Sequence, residues 1–413
     1  MKIAIVGSGI AGLACAYHLD PRHAITLVEA EPRLGGHAHT VDVEVAGRRH
    51  AVDTGFIVYN ETTYPELTRL FVELDVDTRP TEMSFGLACE RTGLAWSSRG
   101  LRGLFATPSR ALRRPFLRML GEIARFEREA DAIAAVPGTK PSLRELVRER
   151  GYSDAFRDGY LAPMGAAIWS AGSDALLDMP AASFVRFFRN HGLLGRGGGI
   201  RWRTVVGGSR RYVDAIARRL RGRVVLGRPV ARVASEANGV RLDFGASSER
   251  FDRVVLAVHA DTALGLIQDP TAEQRRILGA IRFSRNDAVL HTDASILPRN
   301  PSARASWNAR MTQDSRERVV VTYDLSRLQQ IPSAEPLLVS LNATDRIDPT
   351  RVLGRYAYDH PILDGPAVDA QRDHARIDGV GGLHYCGAWW RWGFHEDGLA
   401  SALRVVHAIE ASV

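Results

Sequence analysis

Two hydrophobic periods divide this chain. Residues 2–7, Lys-Ile-Ala-Ile-Val-Gly, make a short apolar run suited to a strand buried on both faces, and a helical pattern opens directly after it. A second apolar run, Ile25 to Val28, ends at Glu29. Helical spacing returns from Tyr212 to Leu220, alternating strands come next with Asn238-Gly239 as a hairpin signal, and Asp252–Ala257 reads as another buried strand. A last helical pattern follows Phe394–Leu399 and runs to the end. Residues 192–199, Gly-Leu-Leu-Gly-Arg-Gly-Gly-Gly, read as a flexible connection. No run of 18 apolar residues occurs, and the first strand pattern begins at Lys2, so the chain is expected to be cytoplasmic.

Composition narrows the class. With 413 residues, 45% hydrophobic and 24% charged, the chain is long enough for two domains with substantial cores. The net charge of +7 invites a nucleic-acid reading, but the basic residues are scattered and accompany no zinc-finger, RNA-recognition or helix-turn-helix pattern. Nucleic acid is therefore not an expected partner. Cys15, Cys89 and Cys386 are too few and too widely spaced for a disulfide framework or a zinc site, and no metal is expected.

The first turn carries the chemistry. Gly7, Gly9 and Gly12 form a G-x-G-x-x-G between the first strand and its helix. Gly7 permits a tight turn, Gly9 clears space for a pyrophosphate, and Gly12 lets the helix pack close to the strand. Glu29, at the end of the second strand, is placed to accept ribose hydroxyls.

The stretch from Glu29 to Gly36 is similar to the flavin-dependent amine oxidoreductase superfamily, which includes amine oxidases, carotenoid desaturases and protoporphyrinogen oxidases. The matching residues are Glu29, Arg33, Gly35 and Gly36, which in that superfamily grip the FAD ribose and pyrophosphate. Asp53-Thr54-Gly55-Phe56 matches the segment near the flavin ring, so Gly55 and Phe56 are expected cofactor contacts. Val206-Gly207-Gly208-Ser209 resembles the segment leading back to the FAD domain, and Val230-Ala231-Arg232-Val233 the strand whose valine backbone holds the adenine. Gly387, Asp397, Gly398 and Leu399 match the final cofactor contacts, where a helix N-terminus suits the flavin. Most members carry Gly-Asp where this chain has Gly387-Ala388.

The resemblance implies an α/β fold: a Rossmann-like FAD-binding domain (1–75, 205–275, 375–413) interleaved with an α+β substrate domain (76–204, 276–374). A narrower resemblance, carried by Glu82-Met83-Ser84-Phe85, His291-Thr292-Asp293, Ser306-Trp307-Asn308, Thr322-Tyr323, His360-Pro361 and 393–398, is to a bacterial family of NAD/FAD-binding amine-oxidase-like proteins. Its members accompany cyclopropane-fatty-acid-synthase-like methyltransferases. That association implies a desaturase or dehydrogenase of a lipid-like acyl substrate, passing hydride to flavin N5. An amine oxidase releasing hydrogen peroxide and an FAD-bound scaffold protein remain as alternatives.

His395 and Glu396 are the expected acid–base pair, because the motif sets them beside the flavin. Trp389, Trp390, Trp392 and Phe394 are expected wall residues, Trp390 among the catalytic set, with core packing the alternative. Tyr59, His259 and His291 are weaker candidates, and Cys386 lies near the flavin end, as a buried strand thiol or a covalent attachment. Many amine oxidases use a lysine near N5; the only lysines here, Lys2 and Lys140, lie in no matching motif. Residues 101–130 interleave apolar side chains at helical spacing with arginines, either as a substrate-domain helix or as a peripheral contact with the inner membrane face.

Overall fold

In this computed structural model, which describes residues 1–169, 173–194, 200–312 and 319–412, the short apolar runs become one parallel sheet. Its order is Arg223–Val225, Ala24–Val28, Lys2–Val6, Arg253–Leu256, Leu383–Tyr385. Each of the three central strands is apolar on both faces because both faces are covered. Ile3, Ile5 and Val255 pack with the helices Ile10–Leu19 and His395–Glu410 on one side. Ala4, Val6, Val254 and Leu256 pack on the other against Val233, Val240, Leu242 and Phe251 of an antiparallel three-stranded sheet. The chain leaves Lys2–Val6 in one direction to Ala24–Val28 and later returns on the other side as Arg253–Leu256, which makes a switch point at the carboxyl ends of these strands.

The expected hairpin is present with its turn one residue earlier. Ala237 and Asn238 form the loop, and Gly239, at φ +124, already pairs with Glu236. Of the connection anticipated over 192–199, residues 195–199 lie outside the described residues. The strand Arg232–Glu236 begins just after Val230, whose neighbour Ala231 donates its N–H to the Asp243 carbonyl at 2.8 Å.

A second sheet has seven strands in the order Val352–Pro361, Phe283–His291, Leu338–Leu341, Val320–Asp324, Trp307–Met311, Phe85–Cys89, Leu94–Ser97. Its neighbours are antiparallel except Trp307–Met311 with Phe85–Cys89. Helices Arg114–Ala134 and Ala181–Asn190 bury Phe116, Met119, Phe126, Phe184 and Phe188 in the core beside it. A small sheet of Tyr59–Asn60, Trp202–Val205 and Thr78–Pro80 lies where the two assemblies meet.

Asp53 ties the assemblies together. Its buried carboxylate accepts from Thr40 Oγ1 (2.6 Å), from Ser209 N and Oγ (2.9 and 2.7 Å to Oδ1), and from Gln329 Nε2 (2.9 Å). Gln329 in turn accepts the Asp53 N–H at 2.8 Å. Burial raises this carboxyl to about 6, while the donors around it favour the ionised form. Asp53→Ala leaves several buried donors without acceptors, so it is expected to destabilise the fold by about 3 kcal/mol or more, read as a lowered denaturant midpoint.

Candidate active site

The three fingerprint glycines meet three different environments. Gly7 turns at φ +98, and a Cβ there would come 2.6 Å from the Ala257 carbonyl oxygen. At Gly12 a Cβ would overlap the Gly7 carbonyl, so that glycine sets the closeness of helix and strand. A Cβ at Gly9 would meet nothing within 4 Å. Gly36 closes over this point: its own Cβ would sit 3.0 Å from Gly9 Cα, at φ +55. Gly9 and Gly36 therefore leave a backbone cradle at a helix N-terminus, and a diphosphate fits it. Gly35 turns at φ +111 and donates its N–H to the Ser8 carbonyl at 3.0 Å.

Glu29 is held for its task. One carboxylate oxygen accepts from Ser8 N (2.8 Å) and Ser8 Oγ (2.6 Å), the other from Glu31 N (3.0 Å). The second oxygen keeps an acceptor position for a ribose hydroxyl. Arg33 lies half-buried and donates to the Gly36 carbonyl at 2.9 Å, which steadies the cradle from behind.

Beyond the cradle stands a group of rings. His37 lies 5.0 Å from Tyr358, 5.8 Å from His360 and 6.2 Å from His259, centroid to centroid. Its Nε2 is buried without a hydrogen-bond partner, an atom that fits a bound polar group. His39 and Thr54 Oγ1 join the Tyr358 hydroxyl at 3.1 and 2.6 Å. A Cβ on Gly55 would overlap the His37 carbonyl, which accepts the Phe56 N–H at 2.8 Å. Phe56 then stacks on His395 with centroids 3.8 Å apart, and His395 Nε2 meets the Tyr212 hydroxyl at 3.1 Å.

Burial keeps these imidazoles neutral. It lowers His395 to about 3 and His360 and His39 to about 4, and holds His37 well down, with the neighbouring histidines adding repulsion. His259 is lowered in the same way and stacks on Phe283. Among the described residues, no group of three or more His, Cys, Asp or Glu is arranged to hold a metal ion.

The three expected catalytic side chains have separate surroundings. His395 lies between Phe56 and Tyr212. Glu396 accepts from Glu66 N (3.1 Å) and Leu67 N (3.0 Å), capping the helix Pro65–Glu73. Trp390 packs edge-on to His374 in the core behind the parallel sheet, with its indole N–H unpartnered. Asp397, raised by burial to about 7, accepts from Phe394 N (3.0 Å) and Trp392 N (3.2 Å) and so fixes the entry to the C-terminal helix. Gly398 allows close packing on Ile10, and Leu399 is core. Gly387 donates to Ser401 Oγ at 2.9 Å.

Other sequence candidates have plain structural partners. Tyr59 donates to Thr78 Oγ1, and His291 lies between Ser340 Oγ and the Asp293 N–H. Cys386 is buried with its Sγ 3.7 Å from that of Cys15. Lys2 pairs with Glu249, and Lys140 with Glu145. The group that sequence reading missed is His37, His39, Tyr356, Tyr358 and His360. Its signal was present as two period-2 runs, His37-x-His39 and Tyr356-x-Tyr358-x-His360.

Gly9→Ala is expected to melt at the wild-type temperature yet be purified with little of its flavin, because the added methyl enters only the open space of the cradle. For pH, the unfolded chain takes up protons on these histidines below 6.5, whereas in the folded chain His39 and His360 wait until about 4 and His395 until about 3. Their contribution is full above 6.5 and is lost as pH falls. Asp53 and Asp397 act oppositely, favouring the fold at acid pH and less as pH rises through about 6 and about 7. Among the described residues ten histidines are lowered and four carboxyls, Asp53, Asp324, Glu396 and Asp397, are raised, so the melting temperature is expected to fall from near neutrality toward about pH 4.

No protein with a curated description matches the sequence. Among solved structures, the fold is similar to cyclohexylamine oxidase from Brevibacterium oxydans at 18% identity and TM-score 0.70, covering 100% of this chain and 99% of that one. A putrescine oxidase bound to putrescine matches at 17% identity and TM-score 0.69, covering 99% of each chain. A fatty acid isomerase from P. acnes that produces CLA matches at 15% identity and TM-score 0.69, covering 98% of each. The sequence profile of the flavin containing amine oxidoreductases matches residues 10–286. The parallel sheet, the glycine cradle at its switch point and that match together make this chain a member of the flavin containing amine oxidoreductase family, an FAD-dependent oxidoreductase.

Proposed function

We propose that the chain desaturates or dehydrogenates an apolar, lipid-like substrate, with amine oxidation as the competing reading. The observation that carries this is the junction of the two cores beside His395. It is built from uncharged rings: Phe394 stacks on Phe187 at 4.9 Å, Phe187 on His191 at 3.9 Å, and Trp392 and Trp202 lie against His191. Burial lowers His191 to about 4, so this ring adds no charge at working pH, while the Arg391 guanidinium lies 4.0 Å over the outer ring, Trp392. Such a surface gains from covering a hydrocarbon chain, and the carboxylate beside it, Asp397, is already engaged by the Trp392 and Phe394 N–H groups and raised by burial to about 7. The similar fold of a fatty acid isomerase supports the reading; those of two amine oxidases support its competitor.

In this reading Gly7, Gly9, Gly12, Glu29, Arg33, Gly35 and Gly36 hold the diphosphate and ribose of FAD. Gly55, Phe56, Val230, Gly387, Asp397, Gly398 and Leu399 complete its surroundings, from a FAD domain of 1–75, 205–275 and 375–413. FAD supplies the acceptor for a hydride from a substrate C–H. The rings exclude water and align the chain, and His395, neutral and bonded to Tyr212, takes the proton that leaves the adjoining carbon. Glu396 acts by fixing the helix 65–73, and Trp390 by supporting the sheet from behind.

Anaerobic titration of the yellow flavin absorbance tests this. Bleaching by acyl lipids and not by an amine panel is expected; bleaching by amines alone overturns the lipid reading, and bleaching by neither points to a scaffold. With the productive substrate, His395→Gln is expected to retain flavin and lose about a hundredfold or more in kcat, with a changed pH profile.

A further inference from the structure

The helices after the edge strand Leu94–Ser97 leave large apolar side chains in solvent. The long helix Arg114–Ala134 does turn its stripe inward, with Phe116, Met119 and Phe126 buried, as a substrate-domain helix should. Three leucines beside that stripe point outward: Leu101 is 76% exposed, Leu112 69% and Leu117 48%. They sit on or between the short helix Gly100–Leu104 and the start of the long one. Isolated exposed leucines are ordinary, but three in 17 residues, with arginines between them, make a patch.

Charge identifies what would cover it. From Arg91 to Gly121 the chain carries seven arginines and no aspartate or glutamate, the nearest acids in sequence being Glu90 and Glu122. Some of the seven are neutralised by acids from elsewhere: Arg91 by Asp158, Arg99 by Glu82, Arg118 by Glu122. Arg102, Arg113 and Arg114, each next to or between the leucines, are exposed and pair with no carboxylate among the described residues; Arg113 donates to the Ser109 carbonyl. Exposed leucines flanked by unpaired guanidinium groups match an anionic bilayer. The acyl region takes the leucines, and phosphates take the arginine forks. A nucleic acid would satisfy the arginines and leave the leucines in water.

We propose that Leu101, Leu112 and Leu117, with Arg102, Arg113 and Arg114, form a docking surface for an anionic lipid bilayer. Among the described residues no helix is long and apolar enough to cross a membrane; three leucines and three arginines reach the headgroup and upper acyl region. The surface stands on its own exposure and charge, independently of which substrate the site oxidises.

Co-sedimentation of the FAD-loaded protein with vesicles tests it. Binding is expected to vesicles of equimolar phosphatidylcholine and phosphatidylglycerol, to weaken with added salt, and to be much weaker on phosphatidylcholine alone. Arg102→Gln, Arg113→Gln and Arg114→Gln together are expected to weaken anionic binding on the order of a hundredfold. Leu101→Ser, Leu112→Ser and Leu117→Ser together should weaken it while preserving the salt dependence. Both triple variants change only exposed side chains and should retain flavin content and melting temperature. No sedimentation with anionic vesicles overturns the proposal. Wild-type binding by either variant, or tighter binding to a DNA duplex than to the vesicles, also overturns it. Sedimentation involves no turnover, so its failure leaves the lipid-substrate reading intact, and bleaching by amines leaves the docking surface intact.

Discussion

Asp53 is a single buried carboxylate on which three distant stretches of chain converge. Thr40 reaches it from the paired strand, Ser209 from the Gly-Gly turn, and Gln329 from the seven-stranded assembly. A buried charge is tolerated only when its lone pairs are answered, and each answer here comes from a different segment. The network therefore specifies how the parallel sheet and the larger sheet meet. Thr54, Gly55 and Phe56 come directly after it in the chain, so the same carboxylate fixes the wall that meets His395.

Around that tie the site separates into a polar half and an apolar half. The cradle of Gly9 and Gly36 and the carboxylate of Glu29 offer hydrogen-bonding backbone and acceptors. Phe187, Trp392 and Phe394 present aromatic rings, with the Arg391 guanidinium over Trp392. Burial holds His37 and His395 neutral, so these rings add no charge to the site. Such a division suits a charged cofactor held by backbone and carboxylate at one end, with its reacting end among rings.

The cofactor half was legible in the sequence because its signals are local. A strand, three glycines, a helix and a terminal acid occupy 28 consecutive residues, Lys2 to Glu29, and each is dictated by backbone geometry at its own position. The parts that sequence reading did not reach depend on residues far apart along the chain. Glu396 shares a motif with His395, yet its carboxylate is spent on N–H groups 329 and 330 residues earlier. Trp390 carries the same aromatic signal as Trp392, but the turn between them sends one ring behind the sheet and the other toward the junction. The histidine group needed strand Val352–Pro361 to be brought against residues 37–39, which periodicity within either segment could not indicate. The basic apolar stretch was read as a choice between core and membrane contact, and the helix divides the side chains: a stripe turned inward, three leucines turned out.

The close packing of Gly398 on Ile10 also bears on how the protein is made. The first helix to leave the ribosome acquires its partner only when the final sixteen-residue helix, His395–Glu410, has been synthesised. The strand Leu383–Tyr385 likewise closes a sheet whose centre was translated nearly four hundred residues before. Until then the helix Ile10–Leu19, which follows the glycine turn, has one apolar face uncovered. A chain cut short before His395 would therefore leave that face in solvent, open to aggregation and proteolysis.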